Sequence, residues 1–364
     1  MSSTISPKHT VSPYLVFALV HTMQFGFGFL FMSVQPIRYA GQDAWIAVLL
    51  SGVSFHVVLW MMYRILNRHD TDLIHIHRRL FGRYAGAFLN FIFAAYFLTI
   101  AVHHLRLYIE IVQVWIFPDL RTWTLALVLL LIVYYLVSGG FRVVVGICFL
   151  SLLHHILGIC WFFPGPFFHV GNMLPMMDHS LSELLKASKE LTFPFLGVEM
   201  LFFYYPFIKN AKKSEKWAHW GNATSTVYYL AQIFFSLFLF KYEELRTLIW
   251  PELIKFTFVM FPFVDHFEFI GVTSWILRFV PIAGLCLWAS SRIVKLDFKA
   301  KQTTALPILL ALALVAVCFI PGRDGVEATQ IAVTRIGFGI VYFYVPLLFL
   351  YDTVRTKAKA GRSI

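Results

Sequence analysis

The sequence predicts an all-α polytopic membrane protein of ten transmembrane helices, arranged as a 5+5 inverted repeat with helices 1 and 6 broken. Three observations carry this. The 364 residues are 59% hydrophobic and 13% charged, with a mean hydropathy of +0.73, whereas a soluble domain carries roughly twice that charge. Basic residues recur in every second loop. The first and sixth apolar spans are interrupted by Gly or Pro at matching places.

The spans fall near 12–35, 43–65, 85–113, 122–138, 143–163, 181–207, 218–240, 269–290, 303–320 and 332–352, close to the roughly 20 residues that cross a bilayer. The loops between them are short, so residues 1–364 are read as one transmembrane domain. Repeat one covers about 12–163 and repeat two about 181–352, and a basic tail, 353–364, is expected to be disordered and to touch anionic headgroups.

Orientation follows from the basic residues. Arg64, Arg68, Arg78, Arg79 and Arg83 lie between spans two and three; Lys209, Lys212, Lys213 and Lys216 between six and seven; Arg292, Lys295, Lys299 and Lys301 between eight and nine. With the tail, Lys8 and Arg142 these segments hold 19 Lys and Arg, against six in the opposite loops. The asymmetry puts both termini in the cytoplasm. The net charge of +11 is therefore a topology signal, and no nucleic-acid partner is expected. The N-terminus lacks a charged segment followed by a short cleavable apolar core, so no signal peptide is expected. The four cysteines sit in apolar runs and read as small core residues. The one long outer loop, 241–267, mixes charged and apolar residues and predicts a short amphipathic segment at the outer interface.

In span six the run Thr192-Phe193-Pro194-Phe195-Leu196-Gly197-Val198-Glu199 places Pro194 and Gly197 mid-membrane. Pro removes a backbone donor and Gly tolerates non-helical dihedrals. Broken backbone at that depth persists only where protein or a watery cavity satisfies it. Span one carries Gln24-Phe25-Gly26-Phe27-Gly28. The two spans start about 169 residues apart, and that offset carries Gly26 and Gly28 onto 195 and 197. Paired interruptions in two half-repeats mark a ligand site. The restarting half of span one offers N–H groups and a positive dipole end for a carboxylate, and the outer half of span six, stopping near Phe193, offers free carbonyls for an ammonium. The expected ligand is a zwitterion such as an amino acid. Its expected contacts are Gln24, Gly26, Phe27, Gly28, Thr192, Phe193 and Gly197, with Tyr96, Thr99 and His103 from span three.

Three charges need a separate reading. Arg106 and Glu110 are i,i+4 neighbours and predict an ion pair, structural or part of the site. Glu199 is either a proton carrier or a hydrogen-bonding strut for the break, and the strut is favoured. Ser274, Arg278, Arg335, Gly337 and Gly339 are second-rank pocket residues. The pairs His103-His104 and His154-His155 lack a third metal ligand at useful spacing and read as interior hydrogen-bonded histidines. No cofactor, metal or catalytic constellation is expected, so the chain is not read as an enzyme.

The residues resemble a family. Gly41-Gln42-Asp43-Ala44-Trp45-Ile46, Gly197-Val198-Glu199-Met200 leading to Tyr205-Pro206-Phe207-Ile208, Trp250-Pro251-Glu252-Leu253-Ile254-Lys255, and Phe261-Pro262-Phe263-Val264 with Phe267-Glu268-Phe269-Ile270 are similar to the B subunits of nutrient germinant receptors of endospore-forming bacteria. Asp265-His266 departs from the Glu-Arg of that family. The resemblance implies a LeuT-like fold of the amino acid–polyamine–organocation superfamily, a place in the inner spore membrane, and partnership with an A subunit and a C lipoprotein. It implies sensing of a small nutrient, often an amino acid. The alternative on the same pocket is a proton- or cation-coupled amino-acid permease.

Overall fold

Backbone groups in lipid must be bonded within their own segment, and the chain is helical nearly throughout. The computed structural model describes residues 5–162, 165–259 and 264–360, with the side chains of Phe27, 157–162 and 359–360 excepted. Helix α1 (Leu15–Gln24) is followed by a 3-10 segment (Phe27–Phe31) and α2 (Val34–Ala40). Next come α3 (Ala44–His69) and α4 (Leu73–Trp115), the latter interrupted at Gly82. Helices α5 (Thr122–Ser138) and α6 (Phe141–Leu150) follow, and α6 runs on as a 3-10 segment (Ser151–Phe162) where an even fifth span was expected. A capping box of Ser180 and Glu183 opens α7 (Leu181–Glu190). Beyond it lie α8 (Thr192–Phe195), a 3-10 turn (Val198–Met200), α9 (Leu201–Tyr204) and the long α10 (Glu215–Leu239). The second half closes with α11 (Tyr242–Leu245), α12 (Pro251–Ile254), α13 (Phe267–Ser274), α14 (Ile276–Phe298), α15 (Gln302–Phe319), α16 (Gly322–Gly339) and α17 (Val345–Ala360).

Among the described residues, five helical stretches are long and apolar enough to cross a membrane: Gly28–His69, Leu73–Trp115, Phe267–Phe298, Gln302–Phe319 and Gly322–Ala358. Shorter apolar helices cover Leu15–Gln24, Thr122–Ser138 and Phe141–Ile156. The breaks explain part of the difference from a simple span count, because they cut the first and sixth apolar runs into pieces. Helices α5, α15 and α17 turn Leu131, Tyr135, Leu312, Phe319, Leu347 and Val354 outward, as a hydrocarbon solvent requires. Inside, α14 lies along α4, and α1 lies along α10, which also packs on α3.

The basic segments meet at one end of the bundle. Arg78 pairs with Asp297 (2.6 Å), Arg68 with Asp352 (2.6 Å), and Arg292 with Asp72. The N-terminal segment joins them through a parallel bridge between Val11 and Ile208. One expectation fails here. The tail is helical to Ala360, not disordered, because Arg355 reaches Leu80 O (3.0 Å) and Asp352 is buried between Arg68 and His69. The described part of the outer loop, 241–259 and 264–267, buries Leu245, Glu252, Leu253, Lys255 and Phe256 and leaves Glu243, Glu244, Arg246 and Ile249 exposed; its two buried charges satisfy each other (Lys255 Nζ to Glu252 Oε2, 2.7 Å). The expected signature at 261–263 lies outside the described residues; beyond it, His266 Nδ1 lies 2.9 Å from Glu268 Oε1.

Candidate ligand site at two facing helix breaks

The first break begins where α1 ends at Gln24. Phe25 leaves helical geometry (φ −79°, ψ 49°), and the chain restarts at Phe27. In the second, α8 ends at Phe195, Leu196 is extended (ψ 160°), and Gly197 sits at φ 109°, which side chains with a Cβ rarely adopt. The unwound pair is thus Leu196-Gly197. Pro194 lies within α8, in its first turn, where its missing N–H has no helical partner to lose.

The breaks touch each other through glycine. A Cβ on Gly28 would lie 2.6 Å from Pro194 Cα, and a Cβ on Gly197 would lie 2.5 Å from Met23 Cβ. Neither contact leaves room for a side chain. The spacing argument that paired these stretches in sequence is therefore matched by contact in space.

Internal donors satisfy the carbonyls that the breaks release. Tyr229 Oη stands 2.6 Å from Gln24 O and 2.8 Å from Pro194 O, so one hydroxyl bridges both breaks. Gln24 Nε2 donates to Phe195 O (3.3 Å) and to Asn222 Oδ1 (2.8 Å), and Asn222 Nδ2 donates to Gly52 O (3.0 Å). The amide of Leu196 reaches Phe193 O (3.3 Å). The free carbonyls expected near Phe193 for an ammonium are therefore occupied, because Tyr229 and Gln24 reach them first. Glu199 serves the same end. Its Oε2 accepts the Gly197 N–H (2.8 Å) and its Oε1 accepts the Tyr96 hydroxyl (2.8 Å), fully buried.

What remains between the breaks is a cavity of about 20 Å³, lined by Gln24, Gly26, Gly28, Phe193 and Gly197 with His104. That holds about one water and not an amino acid. The expected residues divide accordingly. Phe27 belongs to the first break by its backbone. Tyr96 supports Glu199 instead of lining the cavity. Thr192 turns back to Lys189 O (2.7 Å), and Thr99 turns away to Ala95 O (2.9 Å) on its own helix. His103 reaches Thr329 Oγ1 (2.9 Å), and its neighbour His104 takes the cavity wall, since adjacent helix positions face different ways. Both rings pack on Phe193.

Arg106 and Glu110 do not pair with each other. Arg106 Nε donates to Ile320 O (3.1 Å) and Glu110 faces Arg323 (3.8 Å), because the turn between α15 and α16 brings both partners alongside α4. Ser274 bonds Gly271 O (2.6 Å) on its own helix. Arg278, fully buried, lies over the Phe25 ring (4.5 Å) and donates to His155 (3.1 Å), which contacts His21 (2.7 Å). Gly337 lets α16 rest on Leu196, whereas Gly339 faces open space.

Sequence reasoning placed span seven but missed its part in the site. Asn222, Ser225, Tyr229, Gln232 and Ser236 form a fully buried polar row on α10. Their spacing alternates three and four residues, which is one face of a helix, and that row was the available signal.

Two larger cavities flank the site. One of about 520 Å³ lies at the end opposite the basic loops and shares Phe193 with the small cavity. Another of about 570 Å³ lies at the basic end, lined by Asp72, His75, Lys212, Lys213 and Arg292 among others. Among the described residues, the one trio with metal-ligand spacing is Asp43, Asp178 and His179. Asp43 already accepts the backbone N–H groups of residues 177–179 (2.6, 3.0 and 3.3 Å), an arrangement that satisfies a carboxylate without a cation.

Known proteins share this architecture and sequence. The solved structure of Mhp1, a nucleobase-cation-symport-1 family transporter in a closed conformation with bromovinylhydantoin bound, superposes with a TM-score of 0.64, covering 93% of this chain and 77% of that one at 11% identity. That likeness concerns the fold. In sequence, the chain is 36% identical to spore germination protein GerQB of Bacillus cereus over 97% of this chain and 98% of that one. It is 22% identical to spore germination protein YndE of Bacillus subtilis (strain 168), covering 85% and 86%, and 22% identical to spore germination protein A2 of the same organism, covering 73% and 74%. The family described as Spore germination protein matches residues 10–324, and this chain, a multi-pass integral membrane protein, belongs to that non-enzymatic family.

Proposed function

We propose that the chain is the nutrient-sensing subunit of a spore germinant receptor, and that it binds a small zwitterion of the amino-acid type between the breaks of helices 1 and 6. In this reading the bundle has ten spans in a 5+5 inverted repeat, both termini are cytoplasmic, and the membrane is the inner spore membrane. Family membership implies partners in a receptor complex; we take them to be an A subunit and a C lipoprotein. The observation that supports the site most directly is the contact of Gly28 with Pro194 and of Gly197 with Met23, which joins two half-helix ends at one point.

With about 20 Å³ between them, the breaks are in a closed state, and a ligand has to part them. The ammonium of an amino acid would take the place of Tyr229 and Gln24 at the break carbonyls, and its carboxylate would accept from the donors so released. A ligand that prefers the parted state shifts the population toward it, and that shift is a signal without any net transport. Glu199 favours sensing over a proton-coupled permease, because both of its oxygens are committed to holding the break.

The test uses spores carrying this receptor as their sole nutrient receptor, exposed to each proteinogenic amino acid in turn. Germination with at least one of them, lost in a Gly28→Leu variant that still reaches the membrane, is the expected result. Germination confined to sugars or nucleobases would overturn the zwitterion reading. Net accumulation of labelled amino acid against a gradient in reconstituted vesicles would replace the sensor with a permease.

A further inference from the structure

We propose that the 520 Å³ cavity above Phe193 is a second ligand site, which holds the carboxylate of a small molecule against Arg323 and Arg335. The choice of an amino acid as its occupant rests on the function proposed above; the site itself does not.

Size is the first reason. A volume of about 520 Å³ falls in the range of small-molecule sites, whereas the cavity between the breaks, about 20 Å³, does not. Charge is the second. The walls carry Arg38, Lys189, Arg323 and Arg335 against Glu190 and Glu327, and no two of these six form an ion pair within 4.0 Å. Four cations facing these two carboxylates, with Glu110 behind Arg323 as a third, still leave a net positive charge, which draws carboxylates inward and leaves the two wall acids for an ammonium.

Arg323 is the best placed of the four. Its guanidinium lies 5.0 Å from the Trp250 ring and 5.9 Å from Phe31, and its buried Nη1 points toward Glu110 at 3.8 Å without a hydrogen bond. Aromatic contacts on this group fix a planar donor fork in advance, so little freedom is lost when a carboxylate arrives. Arg335 stands on the exposed side of the cavity and supplies the second donor to the carboxylate, while Lys189, also exposed, acts mainly by steering. Phe31, Ile331 and Phe338 supply apolar wall for a side chain.

The position gives the site a consequence. Phe193 belongs to both cavities, and its ring is pressed against His103 and His104. A molecule in the larger cavity therefore rests on the side chain that separates it from the breaks. Its occupancy biases the position of Phe193 and, through Phe193, the parting of the breaks.

Two photoreactive probes test this on purified full-length protein: photo-leucine, a zwitterion, and 4-azidobenzoate, a simple carboxylate. Labelled peptides are mapped by mass spectrometry. The expected result is saturable labelling by both probes around Phe31, Ile331 and Phe338, reduced about tenfold or more by Arg323→Gln or Arg335→Gln, the loss of a charge-assisted bond, and recovered in part by Arg335→Lys. Arg335 is exposed, so its variants fold even if those of Arg323 do not. Failure of 4-azidobenzoate to label this cavity overturns the second site, whatever photo-leucine does. Photo-leucine labelling nowhere, with 4-azidobenzoate still in the cavity, overturns the amino-acid function and upholds the site. Photo-leucine at Met23–Gly28 alone, with no label here from either probe, upholds the function and overturns the site.

Discussion

Gly28 and Pro194 are in contact across the two breaks, with 2.6 Å between Pro194 Cα and the position a Cβ on Gly28 would take. The neighbouring atom is backbone, and it cannot rotate out of the way. A Gly28→Leu side chain would therefore occupy the space between the breaks that a ligand has to enter. We expect normal membrane levels and loss of the nutrient response in germination assays. A normal response would remove span one from the site.

Glu199 bonds the Gly197 N–H with one oxygen and the Tyr96 hydroxyl with the other. Glutamine keeps an acceptor for the amide and can pair with the tyrosine oxygen. Alanine leaves a buried N–H unmet, at a cost of about 1–3 kcal/mol. Glu199→Gln should thus respond to nutrient nearly as the parent does, and Glu199→Ala should melt earlier and respond weakly. Loss of response in Glu199→Gln with unchanged melting would identify a titrating carboxylate instead of a strut.

Tyr229 makes its case through two carbonyls, Gln24 O and Pro194 O, both within 2.8 Å of one hydroxyl. Tyr229→Phe removes that hydroxyl: Gln24 O keeps the Gly26 N–H (2.8 Å), but Pro194 O loses this donor in a buried site. We expect a loss of about 1–3 kcal/mol, read as a lower midpoint of thermal unfolding in detergent. An unchanged midpoint would mean that the breaks find other donors.

How much of this was legible in the sequence depends on what kind of signal each residue leaves. Gly26, Gly28 and Gly197 were legible because a glycine inside an apolar run is anomalous by itself, and because two such anomalies lay at one offset. Tyr229 and Asn222 were not, because a polar residue in an aromatic-rich helix is anomalous only as part of a row, and the row on α10 has to be read over 15 residues, from Asn222 to Ser236. His103 was chosen over His104 because sequence gives no rotational origin for a 43-residue helix whose apolar residues run all round. The Arg106–Glu110 pair failed for a different reason. Local spacing measures what two side chains can reach, and the tertiary fold supplied Ile320 and Arg323 instead.

Asp72 is the hub of the basic end. It accepts the His75 N–H (3.1 Å) and ring nitrogen (2.5 Å) and pairs with Arg292. Burial alone would raise its pKa, but the His75 hydrogen bonds and the Arg292 charge outweigh it and hold the carboxyl below its ordinary value. With the folded pKa below the unfolded one, about 3.9, its stabilisation is complete above about pH 4 and is lost as pH falls through the folded value. Thermal unfolding between pH 3 and 8 should show that acid-side loss in the parent. Asp72→Asn should start less stable at neutral pH, by about 3 kcal/mol for a partly buried Arg292 left without its partner, and show a smaller acid-side loss. An identical acid slope in the variant would assign it to other carboxylates.

Glu252 and Lys255 form a fully buried ion pair at the opposite end, with Lys255 Nζ also donating to Gln232 Oε1 (2.7 Å) and Ser33 donating to Glu252. Through these bonds the loop 241–267 is pinned to the end of span one and to α10. Removing one member leaves the other as an uncompensated buried charge, and Lys255→Met should cost about 3–5 kcal/mol. Replacing both removes the charge along with its partner, so Glu252→Leu combined with Lys255→Met should melt closer to the parent than Lys255→Met does. The same two variants separate folding from assembly. If the loop serves only its own bundle, co-purification of receptor partners should track the melting temperature, low in the single variant and recovered in the double. A double variant that regains its melting temperature and still fails to co-purify would give the loop a direct contact with another subunit.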